Sequence, residues 1–150
     1  MIFRGTFEHS LDAKHRLTVP AKYRAELAGG VVLALSPPAV PGAPKTISIW
    51  TPAGYDSYAQ TALAGVHPLS PRARDLHHVL YGNSWELELD SANRLMIPGP
   101  ALAFANLTKD VTITGGGDRL EVWDRAVYAS HNEDVLARYH EIAESFDHTA

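Results

Sequence analysis

The chain contains no cysteine, which removes disulfides, thiolate metal sites and thiol nucleophiles together. No apolar run approaches the roughly 20 residues of a bilayer-spanning helix. The opening stretch, MIFRGTFEHS, has neither the apolar centre nor the small-residue cleavage site of a secretory signal, so a cytoplasmic location is expected. Phosphate-binding loops, dinucleotide fingerprints and Gly-x-Ser-x-Gly elbows are missing too. So is a basic excess: 13 Lys and Arg face 17 Asp and Glu, a formal charge of −4, whereas nucleic-acid-binding domains are usually basic. Apolar material is present in ordinary measure. The chain is 45% hydrophobic over 150 residues, which suits one soluble domain or two small halves sharing a core.

The charge is unevenly spread. Residues 1–27 hold five basic side chains (Arg4, Lys14, Arg16, Lys22, Arg24) against three acids, while residues 118–150 hold eight acids and three Arg. A basic head on an acidic body can dock on phosphate while the remaining surface repels it. Eight histidines invite a search for metal ligands. His67, His77 and His78 come closest together, but neighbours on a helix point to different faces and no HExxH spacing occurs. No cofactor and no metal site are expected, and the chain is read as a non-enzyme, with a metal-dependent enzyme as the rival from another class.

One sentence of the sequence is written twice. A slide of 78 residues lays FEHSLDAKHRLTVP (7–20) on WELELDSANRLMIP (85–98), matching an aromatic, Glu, Leu, Asp, Arg, Leu, an aliphatic and Pro. A slide of 73 lays ISIWTPAGY (47–55) on LEVWDRAVY (120–128), with Trp and Tyr in register. The five-residue difference fits the proline-rich SPPAVPGAP (36–44), a loop inserted in the first half only. Internal repetition of this kind governs the fold reading.

Alternating apolar and polar residues make FEHSLD and WELELD half-buried strands, and RLTVP and RLMIP resume the alternation, so each motif is expected to be the turn of a hairpin. His15 and Asn93 stand just before the Arg, where residues tolerant of positive φ suit a tight turn. AKYRAEL is a short helix stopped by Gly29 and Gly30. VVLAL, TISIW, DVTIT and RLEVW are strands, and TITGGGDRLEVW is a hairpin. Thr51, Ser70, Asp124 and Asn132 are expected helix N-caps. The helix after Ser70 carries Leu76, Val79 and Leu80 on one face. The last helix carries Leu136, Tyr139, Ile142, Ala143 and Phe146 on one broad face. The fold class is thus α+β and β-rich. The expected divisions are a first half over 1–64, a helical connector over 65–84, a second half over 85–131 and a C-terminal helix over 132–150. Either half alone would leave open sheet edges, so the two are expected to cover each other about a pseudo-twofold axis, as a fused dimer.

Two readings of Asp12 with Arg16, and of Asp90 with Arg94, stay open at this stage. In one, each Asp bonds backbone N–H groups and its Arg folds back to pair with it, a purely structural turn. In the other, the Asp shapes the turn and two equivalent Arg side chains form a paired donor surface. Lys14 strengthens the first copy, where the second has Ala92.

FRGTFEHSLDAKHRLTVPAKYR with DSANRLMIP and DRLEVW closely resembles the MraZ family, bacterial transcription regulators whose gene heads the cell division and cell wall cluster. The resemblance runs from residue 2 to about residue 145. It implies two AbrB/SpoVT-like swapped-hairpin modules fused in one chain as a pseudo-twofold barrel with flanking helices. It also implies a closed ring of copies of the chain and use of the motif Arg on double-stranded promoter DNA carrying direct repeats. Carried over, the DNA contacts are Arg16 and Arg94, with Lys14 and Arg4 from the basic segment, and the motif-shaping residues are Asp12, His15, Asp90 and Asn93. The family usually has Gly where this chain has His15 and Asn93. No membrane and no small-molecule substrate are implied, and a nucleoid-associated protein of the cytoplasm is expected. The alternative is a swapped-hairpin scaffold that acts through protein contacts alone, which the acidic C-terminal region favours.

Overall fold

The computed structural model describes residues 2–146. Strands β1 (Thr6–Ser10) and β2 (Arg16–Thr18) flank the first motif. A 3-10 turn (Ala21–Tyr23) runs into α1 (Arg24–Leu27), followed by β3 (Val31–Ser36), β4 (Thr46–Trp50), α2 (Pro52–Leu63) and α3 (Pro71–His77). The chain then winds as a π-helix over His78–Gly82 and enters the second half: β5 (Ser84–Leu87), β6 (Arg94–Met96), α4 (Gly99–Phe104), β7 (Asp110–Gly115) and β8 (Leu120–Asp124). It closes with α5 (Arg125–Ala137) and α6 (Tyr139–Glu144). The protein is α+β and rich in β-structure.

Local chemistry sets the helix starts. Thr51 Oγ1 accepts from Gly54 N at 3.1 Å, Ser70 Oγ from Ala73 N at 3.1 Å and Asp124 Oδ2 from Val127 N at 3.1 Å. Each satisfies a donor that a helix start leaves without a partner. Asn132 is not a cap. It lies inside α5, because the Asp124 cap starts that helix earlier and Asn costs only a fraction of a kcal/mol inside it. The single helix expected over 132–150 is also broken, at Arg138 (φ −100°, ψ 12°). Its last four residues, 147–150, lie outside the described residues.

The eight strands form a six-stranded antiparallel sheet, in the order β1-β7-β8-β4-β3-β5, and a separate two-stranded ribbon of β2 and β6. The hairpin expectation needs correction. Each motif does make a turn, but its flanking strands do not pair with each other: β1 pairs with β7, β5 with β3, and β2 with β6. After Ser10 the Leu11 N–H bonds to Lys109 O at 2.8 Å, so the chain is still tied to the β7 side as it enters the turn. Exchanging each strand with its counterpart in the other half leaves the sheet order unchanged. The registers are centred likewise. Leu17, which the 78-residue slide lays on Leu95, has Leu95 as its partner, and Ser48, which the 73-residue slide lays on Glu121, has Glu121.

Alternate residues of the central strands serve two sides. Val31, Leu33, Ile47, Ile49, Val111, Ile113, Leu120 and Val122 point into the main core, closed by Leu17 and Leu95 of the ribbon with Val19, Tyr23, Leu27 and Ile97. Fully burying each such aliphatic side chain contributes about 1.5–3 kcal/mol. On the other side Val32, Ala34 and Trp50 pack beneath Tyr55 and Ala59 of α2 and Leu80 of the π segment. Val79 departs from the expected apolar face and is exposed, since the π winding shifts the register that an α-helical pattern assumes.

Candidate nucleic-acid interface

Each motif turn is built around one carboxylate. Asp12 Oδ1 accepts from the backbone N–H of Lys14 and of Arg16, both at 2.9 Å, and Oδ2 accepts from Arg16 Nε at 2.6 Å. In the second copy Asp90 Oδ1 accepts from Ala92 and Arg94 backbone N–H at 2.9 Å, and Oδ2 from Arg94 Nε at 2.9 Å. The main chain closes the same loop twice, from His15 N to Asp12 O and from Asn93 N to Asp90 O, both at 2.9 Å. Such a loop needs a residue in the left-handed region before the Arg. His15 (φ 58°) and Asn93 (φ 61°) supply it, two of the few non-glycine types enriched there.

The turns are brought together. Val19 N donates to Asn93 O and Ile97 N to His15 O, both at 3.0 Å, so each turn's positive-φ residue receives a bond from the strand end of the other copy. Arg94 Nη1 lies 3.7 Å from Asp12 Oδ2, and the two Arg side chains are 25% and 30% exposed. The two open readings of the motif therefore meet in one geometry. Each Arg does fold back on its Asp, but it uses Nε to do so, which fixes the plane of the guanidinium while the terminal nitrogens stay outside that bond.

These contacts act on the carboxyls. The Arg16 backbone N–H does most to hold Asp12 at about 2, against an ordinary value of 3.8; its side chain and the Lys14 N–H add to this, and partial desolvation opposes it. For Asp90 desolvation pushes upward, but the backbone N–H groups of Arg94 and Ala92 and the Arg94 side chain outweigh it, and the carboxyl again lies below its ordinary value. Both carboxylates stay ionised around neutral pH.

Of the other candidates, Lys14 sits on the first turn and is exposed. Arg4 is elsewhere. Its backbone N–H and carbonyl clamp the Tyr23 hydroxyl at 2.7 Å each, ahead of β1, whereas Asp12 follows β1. Five residues of strand, about 17 Å, separate the two ends. That route is tight: a Cβ on Gly115 would clash with the Arg4 backbone. Sequence reasoning missed Lys109, which is exposed and whose carbonyl receives the Leu11 N–H. Only the β1–β7 register reveals it, because nothing in the local pattern links residues 11 and 109. Arg125 was missed likewise. Its Nη2 donates to His9 O at 2.7 Å, and burial first, then the charges of Arg24 and Arg125, lower the His9 pKa. Among the described residues, no three His, Asp or Glu gather as metal ligands. No helix among them is long and apolar enough to cross a membrane.

The model of the family described as MraZ protein matches residues 2–70 and 80–146. The chain is similar to several proteins named Transcriptional regulator MraZ. That of Mycoplasmoides gallisepticum is 34% identical over 146 residues, covering 97% of this chain and 98% of the relative. That of Nitrosomonas europaea is 36% identical over 128 residues, covering 83% and 82%. That of a Nocardioides species is 32% identical over 151 residues, covering 100% and 99%.

Proposed function

The chain belongs to the MraZ family, and on that premise we propose that it is a sequence-specific, DNA-binding transcription regulator. It acts on promoter direct repeats of the cell division and cell wall gene cluster, through Arg16 and Arg94. The observation that carries this reading is the meeting of the two Asp-x-x-x-Arg turns, with Arg94 Nη1 3.7 Å from Asp12 Oδ2. Two guanidinium planes anchored through Nε leave terminal N–H donors for phosphate oxygens or for guanine O6 and N7. Lys14 adds charge at the first turn, and Arg4 would reach DNA only as a separate contact at the far end of β1.

The unchanged sheet order and the self-centred registers at Leu17/Leu95 and Ser48/Glu121 support two swapped-hairpin half-repeats in one pseudo-twofold barrel. The halves are residues 1–64 and 85–131, joined by the 65–84 connector and followed by the C-terminal helical region. A closed ring of copies answers the charge of −4: each subunit offers a small basic patch, and several patches along one duplex add by avidity. The bound DNA then carries short direct repeats about 10 base pairs apart, one helical turn. A cytoplasmic, nucleoid-associated protein without catalytic activity completes the reading.

Fluorescence anisotropy tests it, using duplex DNA from upstream of the chain's own operon against a scrambled duplex of equal length. Preferential binding of the operon DNA that weakens steeply with salt is expected. Equal affinity for both duplexes at all salt concentrations would sink sequence-specific regulation. No binding even at low salt would favour the protein-contact scaffold, which the acid-rich C-terminal third supports.

A further inference from the structure

The C-terminal arm is short of partners. Among the described residues α5 and α6 bury none of their side chains. Leu136 is 55% exposed, Tyr139 59% and Phe146 67%. Steps of three and seven residues put them on one helical face. The counterpart helix α2 is not bare in this way. It is covered by α3 and the π segment, and Trp50 beneath it is 2% exposed, whereas its counterpart Trp123 is only half-buried.

The same molecule holds an open apolar groove on the sheet face opposite the main core. Its volume is about 780 Å³, floored by Trp50 and Tyr58 and walled by Leu76, Val79 and the 36–44 loop. His131 of α5 already forms part of its wall, while Leu136, Tyr139 and Phe146 of that chain stay exposed. The charges are complementary. Arg72 on the groove rim and Arg74 beside it form no ion pair among the described residues, and neither do Glu133 and Glu141 on the arm.

We propose that the α5–α6 arm of one copy docks its Leu136–Tyr139–Phe146 face into the Trp50–Val79 groove of a second copy, as a head-to-tail contact. The proposal rests on the ring reading above and names the surfaces that build it. A patch and a groove at different places on one chain make a heterologous interface, which closes into a ring when the rotation between neighbours permits. The acidic arm then pairs with the basic rim, and the C-terminal acids are drawn away from the Arg16 and Arg94 surface.

The test uses the full chain at micromolar concentration, with mass read by analytical ultracentrifugation and folding by thermal melts. Leu136→Asp with Tyr139→Asp alters the arm only, and Val79→Glu alters the groove only; all three positions are exposed, so the melts should stay close to that of the unaltered protein. Each variant alone is expected to lose self-association by at least about tenfold. Mixing the two should restore one contact per pair and stop at a one-to-one dimer, because the first keeps an intact groove and the second an intact arm. If both variants fold and keep the unaltered protein's mass, this contact is overturned while the ring survives through another interface. If they dissociate but do not pair on mixing, the head-to-tail geometry is overturned. If the unaltered protein is itself a monomer, the ring reading and this contact fall together.

Discussion

Asp12 gives one oxygen to the backbone and the other to Arg16, and that division sets what each substitution should do. Because its carboxyl titrates at about 2 in the fold against 3.8 ordinarily, the ionised form is favoured by folding. Its stabilising contribution is complete above the ordinary value and disappears as pH falls toward 2. The melting temperature should therefore drop between pH 4 and pH 2, and Asp12→Asn should flatten that acid limb while lowering stability at neutral pH. An equally steep limb in the variant would contradict the assignment. Arg16→Ala and Arg94→Ala remove half-exposed ion pairs worth at most about 1 kcal/mol, so melts should move little. DNA affinity should fall, and the salt dependence should become shallower by about one phosphate contact per Arg lost. Arg16→Ala should do more damage, since Lys14 stands beside Arg16 and Ala92 occupies the matching place. Variants that lose stability but keep full affinity for operon DNA would show that the pairs are internal braces. The carboxylate turn and the positive φ at His15 and Asn93 were legible in the sequence because they depend on neighbours two to four residues away. The reach of Arg94 toward Asp12 was not, because it depends on how the two copies meet.

The strands were read correctly as strands, because alternation and β-branched content are local. Their partners were not, since period two says which face is buried and nothing about which edge is filled. The ribbon of β2 and β6 shows what that omission hid. Leu17 and Leu95 face each other at its centre, both fully buried in the main core. Leu17→Ala and Leu95→Ala should each cost about 2–5 kcal/mol in urea-monitored unfolding, and by similar amounts, since each leaves a void against the same opposing leucine. A clearly larger loss for one would mean that the two halves do not share the ribbon equally. Helix reading failed in one place for a related reason: the Asn132 cap is locally sound but loses to Asp124 upstream, and a single strong start suffices for α5.

In the molecule as a whole, no sheet edge belongs to one half alone, because β1 completes the second half's strands and β5 the first half's. Thermal unfolding should accordingly be one cooperative transition, with matching calorimetric and van't Hoff enthalpies. Two resolved transitions would argue for separable halves. The offsets of 78 and 73 residues announced two copies of one plan, but the exchange between them leaves no mark in either copy alone. It does leave a mark on time. Thr6 pairs with Thr114, so while the ribosome adds the intervening residues, at about 5–20 per second, β1 waits roughly 5–20 s for its partner. The opposite edge matures earlier, since Val31 pairs with Leu87. The chain therefore leaves synthesis with its last-made strands closing over its first-made ones, and its N-terminus is the part that depends longest on chaperones.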